Sequence, residues 1–295
     1  MAQPRRSGRA EPRRSCGDPP PEQERGEVAF GDARRARYGS VMALNSLSVA
    51  VAAARLAVTR PLELVDRFEG MREVRRMGPH AEIADARTDV YDAVHVSCGV
   101  SACSSCAEEI AAMTAEVNSR LSEEHLHDGG NTLAQTLWIL IRHRKPARIV
   151  ETGVARGISS AFQLGALAAN GEGQLWSIDL PPVRGDWQVE TGDAVPERLK
   201  GRWTYIRSSS RRGLPPLLAE LGAIDMFVHD GLHTAETMTF EFHHVWPYLA
   251  DSGVLVADDA DANVAFVDFC RRAALEPLAL IEAEKGSVVG VVNKK

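Results

Sequence analysis

The sequence predicts an α/β protein built on a doubly wound, mostly parallel sheet, and three observations carry that expectation. From residue 147 onward, short apolar runs alternate with helical stretches. The runs are continuously apolar, as strands buried on both faces are. Ionisable residues collect where those runs end, the edge at which open α/β sheets bind ligands.

The elements follow in order. "ARIVET" (147–152) is a first strand, followed by a glycine-bearing turn and a helix over 157–169. "QLWSID" (174–179) is a second strand. "WTYIR" (203–207) is a third, with a helix over 211–221 after it. "IDMFVHD" (224–230) is a fourth, before a helix over 234–249. "GVLVADD" (253–259) is a fifth, before a helix over 261–274. "PLALIE" (277–282) and "SVVGVVN" (287–293) close the chain as a hairpin around Lys285-Gly286, which adds one antiparallel strand.

Upstream the pattern is different. Residues 1–40 carry nine Arg, several Pro and Gly and six acids, with few large apolar groups. Such a segment buries too little surface to offset its ordering entropy, so a disordered, solvated tail is expected. Residues 41–128 read as a mainly helical extension or lid, and 129–295 as the sheet domain. The apolar run 41–58 predicts a helix capped by Ser40 and ended before Pro61. Segment 104–124 places Ile110, Met113, Val117 and Leu121 on one helical stripe. A buried-faced helix is expected over 133–144.

Composition bounds the function. A net charge of −6 makes no case for a nucleic-acid partner. The 41–58 run contains Asn45, Ser46, Ser48 and Arg55, which suits a surface helix better than a membrane span. Five cysteines, an odd number, do not form a disulfide scaffold, so a reducing cytoplasm is the expected location.

The first strand ends in "ETGVARGISS". Gly153 and Gly157 let the backbone turn sharply and approach a ligand. The next helix points its free amides and positive dipole end at that ligand, and Ser159 can add a hydroxyl. Asp179 ends the next strand, where an acid grips the ribose hydroxyls of an adenosine-type cofactor. Glu151, Gly153, Gly157, Ser159 and Asp179 are therefore the expected cofactor-binding residues.

"ETGVARGISS" resembles the first motif of the class I S-adenosylmethionine-dependent methyltransferases, in the form found in metal-dependent O-methyltransferases. The resemblance runs from about residue 130 to 293. It implies a Rossmann-like, seven-stranded sheet with the last strand antiparallel. Many such enzymes carry a middle glycine where this chain has Ala155. "HDGLHTAETMTFEF" is similar to the Asp-x-x-His segment of sugar and macrolide O-methyltransferases and of cephalosporin-hydroxylase-like proteins. "VLVADDAD" looks like their next strand end. Carried over by position, Asp230, Asp258 and Asp259 would hold a magnesium ion, which favours hard oxygen ligands. His233 is then the candidate general base. On residues alone, Asp230 and His233 could instead cap the following helix, with Thr234 sharing that role. His229 reads as structural.

A further segment, "CGVSACSSC" (98–106), has the C-x4-C-x2-C spacing of a plant-type ferredoxin loop. No fourth cysteine follows until Cys270, in a predicted helix, and β-rich surroundings are missing. Cys98, Cys103 and Cys106 therefore read as ordinary small residues before a cluster or a zinc site.

The expected function is S-adenosylmethionine-dependent, metal-assisted O-methylation of a small hydroxylated molecule, a sugar or natural product. Alternatives are a same-fold enzyme with another reaction and a non-catalytic nucleotide-binding protein that assembles through its N-terminal helices. The acceptor would lie under residues 60–130 and the 181–195 loop, with Trp187 a candidate lining residue.

Overall fold

The computed structural model describes residues 46–99, 104–121, 131–181, 191–282 and 285–295. The expected 1–40 tail, the Ser40 cap, Cys103 and Trp187 lie outside the described residues.

Seven strands form one sheet: β1 (Arg148–Thr152), β2 (Gln174–Asp179), β3 (Trp203–Arg207), β4 (Ile224–His229), β5 (Leu249–Ala257), β6 (Leu278–Glu282) and β7 (Ser287–Asn293). Their order across the sheet is β3-β2-β1-β4-β5-β7-β6. The β1–β5 pairings are parallel, and β7 runs antiparallel between β5 and β6. The chain reverses its winding between β3 and β4, so the crevice beyond the ends of β1 and β4 is the topological switch point.

Both faces of the sheet are buried. Ile149, Met226, Val228, Val254 and Val256 face one layer. Their neighbours Val150, Phe227, Leu255 and Ala257 face the other. The period of two explains the unbroken apolar runs: each alternate residue meets a helix layer. On the first face lie α3 (Val90–Ser97), α4 (Ser104–Arg120), α5 (Asn131–Arg144) and α6 (Ile158–Asn170). On the second lie α7 (Ser210–Leu221), α8 (Ala235–Val245) and α9 (Ala265–Arg272). The stripe of Ile110, Met113 and Val117 on α4 is buried, with Leu121 packed against the same core.

Several boundaries differ from expectation, three of them near the site or the helix before it. Pro61 does not merely follow a helix. After α1 (Ser46–Thr59) it opens α2 (Pro61–Val74), at a position where its missing N–H is no loss. The helix expected to reach residue 249 stops at Val245, and β5 starts early, at Leu249. There Lys294 Nζ donates to the carbonyls of Trp246 (2.9 Å) and Leu249 (2.5 Å), a cation at the negative end of α8 that only the folded chain supplies. The strand expected to reach Asp259 ends at Ala257, which leaves Asp258 and Asp259 in the turn beyond it.

Candidate active site

The turn after β1 is shaped by close backbone approach. Gly153 has φ 89°, and a Cβ there would lie 1.9 Å from the carbonyl oxygen of Asp230. The ends of β1 and β4 thus touch main chain to main chain. The Gly153 N–H donates to Ile178 O at 2.9 Å, which ties in β2. Ala155, at the expected middle-glycine position, adopts φ 46°. The left-handed turn is kept there by a residue that pays about 1–2 kcal/mol for it. Gly157 (φ 83°) accepts the 192–195 segment: a Cβ would lie 2.9 Å from Gly192 Cα and 3.0 Å from Val195 Cγ2.

Glu151 lies beneath this turn, fully buried. Its carboxylate accepts from Ser159 Oγ (2.9 Å), Ser160 Oγ (2.6 Å), Ser177 Oγ (2.6 Å) and Gln163 Nε2. Burial pushes its pKa up against the pull of those four donors. Glu151 therefore joins β1, β2 and the first turns of α6. Ser159, expected to face a cofactor, spends its hydroxyl on this hub and also hydrogen-bonds Asp230.

Asp179 ends β2 opposite the turn. Burial pushes its carboxyl up to about 6, against hydrogen bonds from the Leu180, Val154 and Ala155 amides and the charge of Arg67. Its Oδ2 is buried and has no hydrogen-bond partner. An acceptor left open beside a turn built for close approach suits the hydroxyls of a ribose.

Across the crevice, Asp230, His233 and Asp258 each bring one ligand atom to within 4.8 Å of the others. Asp230 follows β4, and its N–H donates to Thr152 O at 2.8 Å. Asp258 follows β5, and its N–H donates to His229 O at 2.8 Å. Burial and the neighbouring Asp258 raise the Asp230 pKa well above the carboxylate range. Asp258 Oδ1 is buried without a hydrogen-bond partner. Asp259 was expected in this set, but it lies to one side, with Oδ2 3.8 Å from His233 Nδ1. Burial holds the His233 pKa below its ordinary value, so its ring is neutral near pH 7. Thr234 is the residue that caps α8, accepting from the Thr237 N–H at 3.3 Å. His229 is buried, with Nδ1 2.7 Å from Glu241 Oε2.

Sequence reasoning missed two contributors. The first is Lys285, whose Nζ lies 3.5 Å from Asp258 Oδ2. Burial lowers its pKa, but Asp258, Asp230 and Asp259 outweigh that and raise it, so it stays an ammonium. In the sequence it is only the lysine of a hairpin turn. The second is α2, which lies along the ends of β2 and β3. Arg67 donates to Pro181 O (2.6 Å), and Glu63 accepts from Arg67 (2.7 Å) and Arg207 (2.9 Å). Asp66 takes Ser209 and Arg212, each at 2.7 Å. Glu73 takes Arg211 (2.6 Å), Thr234 (2.5 Å) and Thr237 (2.7 Å). These acids read as a solvated helix face until their partners, some 140 residues away in sequence, are known.

Cys270 lies on α9, on the other side of the sheet from Cys98 and Cys106. Cys98 is beside Arg144 and Ser97, and burial pushes its thiol up.

The strand order and the crevice at its switch point are those of a Rossmann-like, methyltransferase-type fold. Residues 150–260 match the family model described as "Methyltransferase domain". The matched stretch runs from β1 to the turn after β5. Comparison with curated proteins finds no match. Among solved structures, the chain is similar to the O-methyltransferase TomG of Streptomyces achromogenes, which acts in tomaymycin synthesis and was solved with S-adenosylmethionine. The identity is 17% over 64% of this chain and 90% of that one, with a TM-score of 0.50. It is also similar to an O-methyltransferase from Bacillus cereus (18% identity, 70% and 98% covered, TM-score 0.45). A third is the Podospora anserina methyltransferase PaMTH1 (13%, 73% and 99%, 0.47). At 17% identity the likeness to TomG speaks for the fold alone. No helix among the described residues is long and apolar enough to cross a membrane.

Proposed function

We propose that the protein transfers the methyl group of S-adenosylmethionine to a hydroxyl of a small molecule, a sugar or natural product, with a magnesium ion at the acceptor. The observation that carries this reading is the convergence of Asp230, His233 and Asp258 beside the turn at Gly153. Oxygen as the acceptor atom has its precedent in the O-methyltransferases of the same fold.

The roles follow from position. Gly153 and Gly157 let the turn pack against Asp230 and the 192–195 segment, which shapes the cofactor's side of the crevice, and Asp179 Oδ2 accepts from the ribose hydroxyls. Glu151 and Ser159 hold the turn in shape. Asp230 and Asp258, with Asp259 beside them, would hold the magnesium, and the open Asp258 Oδ1 suits a hard cation. The bound ion would lower the pKa of an acceptor hydroxyl. His233, neutral, takes that hydroxyl's proton at a ring nitrogen and passes it to solvent. The oxygen attacks the methyl carbon in line, the carbon–sulfur bond breaks, and S-adenosylhomocysteine leaves. Helix α2 covers the ribose side, where Arg67 meets Pro181.

A second reading rests on Lys285. Its ammonium already stands among the carboxylates, so it could supply the positive charge without a metal. Calorimetric titration with S-adenosylmethionine, with and without magnesium, tests both. Cofactor binding together with a magnesium isotherm lost in Asp258→Asn supports the metal-assisted reading. Cofactor binding with no magnesium isotherm favours Lys285. No cofactor binding under either condition refutes the whole assignment.

A further inference from the structure

At the opposite edge of the sheet lies a second group of ligand-bearing side chains. His95 is on α3, Cys106 is near the start of α4, and His143 is in the last turn of α5. Their ligand atoms all lie within 4.8 Å of one another. Cys106 Sγ is 4.0 Å from His143 Nε2, and the two imidazole rings meet edge-on with centroids 5.0 Å apart. Arg144, next to His143, donates to Ser252 O (3.0 Å) and Asn293 Oδ1 (2.8 Å), which mark the amino-terminal edge.

His95 gives this group its direction. Its Nδ1 lies 2.7 Å from Tyr91 O. A carbonyl only accepts, so Nδ1 carries a proton, and it is Nε2 that is left to ligate through its lone pair. His95 is 1% exposed, and that Nε2 has no hydrogen-bond partner. A buried polar nitrogen without a partner is costly unless something fills its site. An imidazole whose second nitrogen is fixed by a backbone carbonyl is also how metal-binding histidines are held in one tautomer. Burial, His95 and Arg142 hold His143 below its ordinary value, which favours the ring form that ligates.

We propose that His95 Nε2, Cys106 Sγ and His143 Nε2 bind a zinc ion that staples α3, α4 and α5 together. Tetrahedral zinc, with bonds of ~2.3 Å to sulfur and ~2.0 Å to nitrogen, spaces its ligand atoms about 3.5 Å apart. The observed 4.0 Å between Cys106 and His143 therefore closes with a small side-chain adjustment. A thiolate with two imidazoles selects zinc over magnesium, which separates this site from the carboxylates across the sheet. Binding displaces the Cys106 thiol proton to solvent, and the fourth position is left to water. The ion would tie α3 and α4 to α5, at the amino-terminal edge of the sheet and away from Asp258.

The test uses the full chain, free of any affinity tag and treated with a chelator, then titrated with cobalt(II) as a spectroscopic stand-in. The expected result is about one cobalt per chain with a thiolate charge-transfer band in the near ultraviolet. The band is lost in Cys106→Ser, is kept in Asp258→Asn, and is displaced by zinc. Zinc also raises the melting temperature of the wild type and not of Cys106→Ser. A folded wild-type protein that shows no such band overturns the proposal, as does a band unchanged in Cys106→Ser.

Discussion

Replacing Glu151 distinguishes a residue that holds the cofactor from one that holds the turn. Glu151 is fully buried and takes four donors, three serine hydroxyls and the Gln163 amide. In Glu151→Ala those donors face a cavity. Each unsatisfied buried group costs about 1–3 kcal/mol, and re-pairing among the hydroxyls recovers part of it. A net loss of about 4 kcal/mol is expected, at the severe end of single substitutions. For a domain of this size that lowers the melting temperature by roughly 8–16 °C. Glu151→Gln is different. It keeps the shape, and the hydroxyls of Ser160 and Ser177 can rotate to accept from its amide. Because burial already raises the Glu151 pKa, the neutral amide replaces a carboxyl with a weakened hold on its charge. A cost of about 1–2 kcal/mol is expected. Melting followed by circular dichroism reads the fold, and calorimetry reads S-adenosylmethionine affinity. A Glu151→Gln protein that melts like the wild type but binds the cofactor more than about tenfold less tightly would show that the carboxylate touches the cofactor. Glu151→Ala melting within about 2 °C of the wild type would refute the hub itself.

Other outcomes follow from the same geometry. Asp258→Asn combined with Asp259→Asn should lower methyl transfer at least roughly 100-fold, since even outer partners of a metal ligand cost that much. The fold should survive, as read by unchanged circular dichroism, and full activity would end the metal reading. Asp179, pushed up to about 6, must be ionised to accept fully from ribose hydroxyls, so cofactor affinity should fall as pH drops through about 6. Titrations across that range should show the dependence in the wild type and a weak, flat affinity in Asp179→Asn. Glu73→Ala removes one acceptor from Arg211, Thr234 and Thr237 and should loosen α2 by about 2–3 kcal/mol, read as faster limited proteolysis around 61–89. Burial raises the Glu73 pKa, but hydrogen bonds from Thr234, Thr237 and Arg211 outweigh it and leave the pKa lowered. The stabilisation by Glu73 is therefore present above the ordinary glutamate value of about 4.3 and is lost as pH falls through the lowered value, and proteolysis should accelerate there.

What the sequence determined by itself was whatever depends on local pattern. Short apolar runs located all seven strands; burial on both faces demands continuous runs in the central strands, while β3 lies at the sheet edge and is partly exposed. The turn at Gly153 and Gly157 was legible because positive φ and close approach call for glycine. The acids at the strand ends were legible because the parallel sheet brings every such end to one edge. The tertiary structure decided which of those groups meet. It turned Glu151 and Ser159 inward to hold the turn, left Asp179 Oδ2 open, and gathered Asp230 and Asp258 with His233, setting Asp259 to one side. It brought Lys285 from a hairpin into the acidic cluster, and α2 across the ends of β2 and β3. It also drew His95, Cys106 and His143 together from three helices, where the cysteine spacing alone had suggested only a loop. Periodicity and turn chemistry act over a few residues and can be read along a chain. The pairing of charges and ligands depends on where distant segments pack, and no local pattern encodes that.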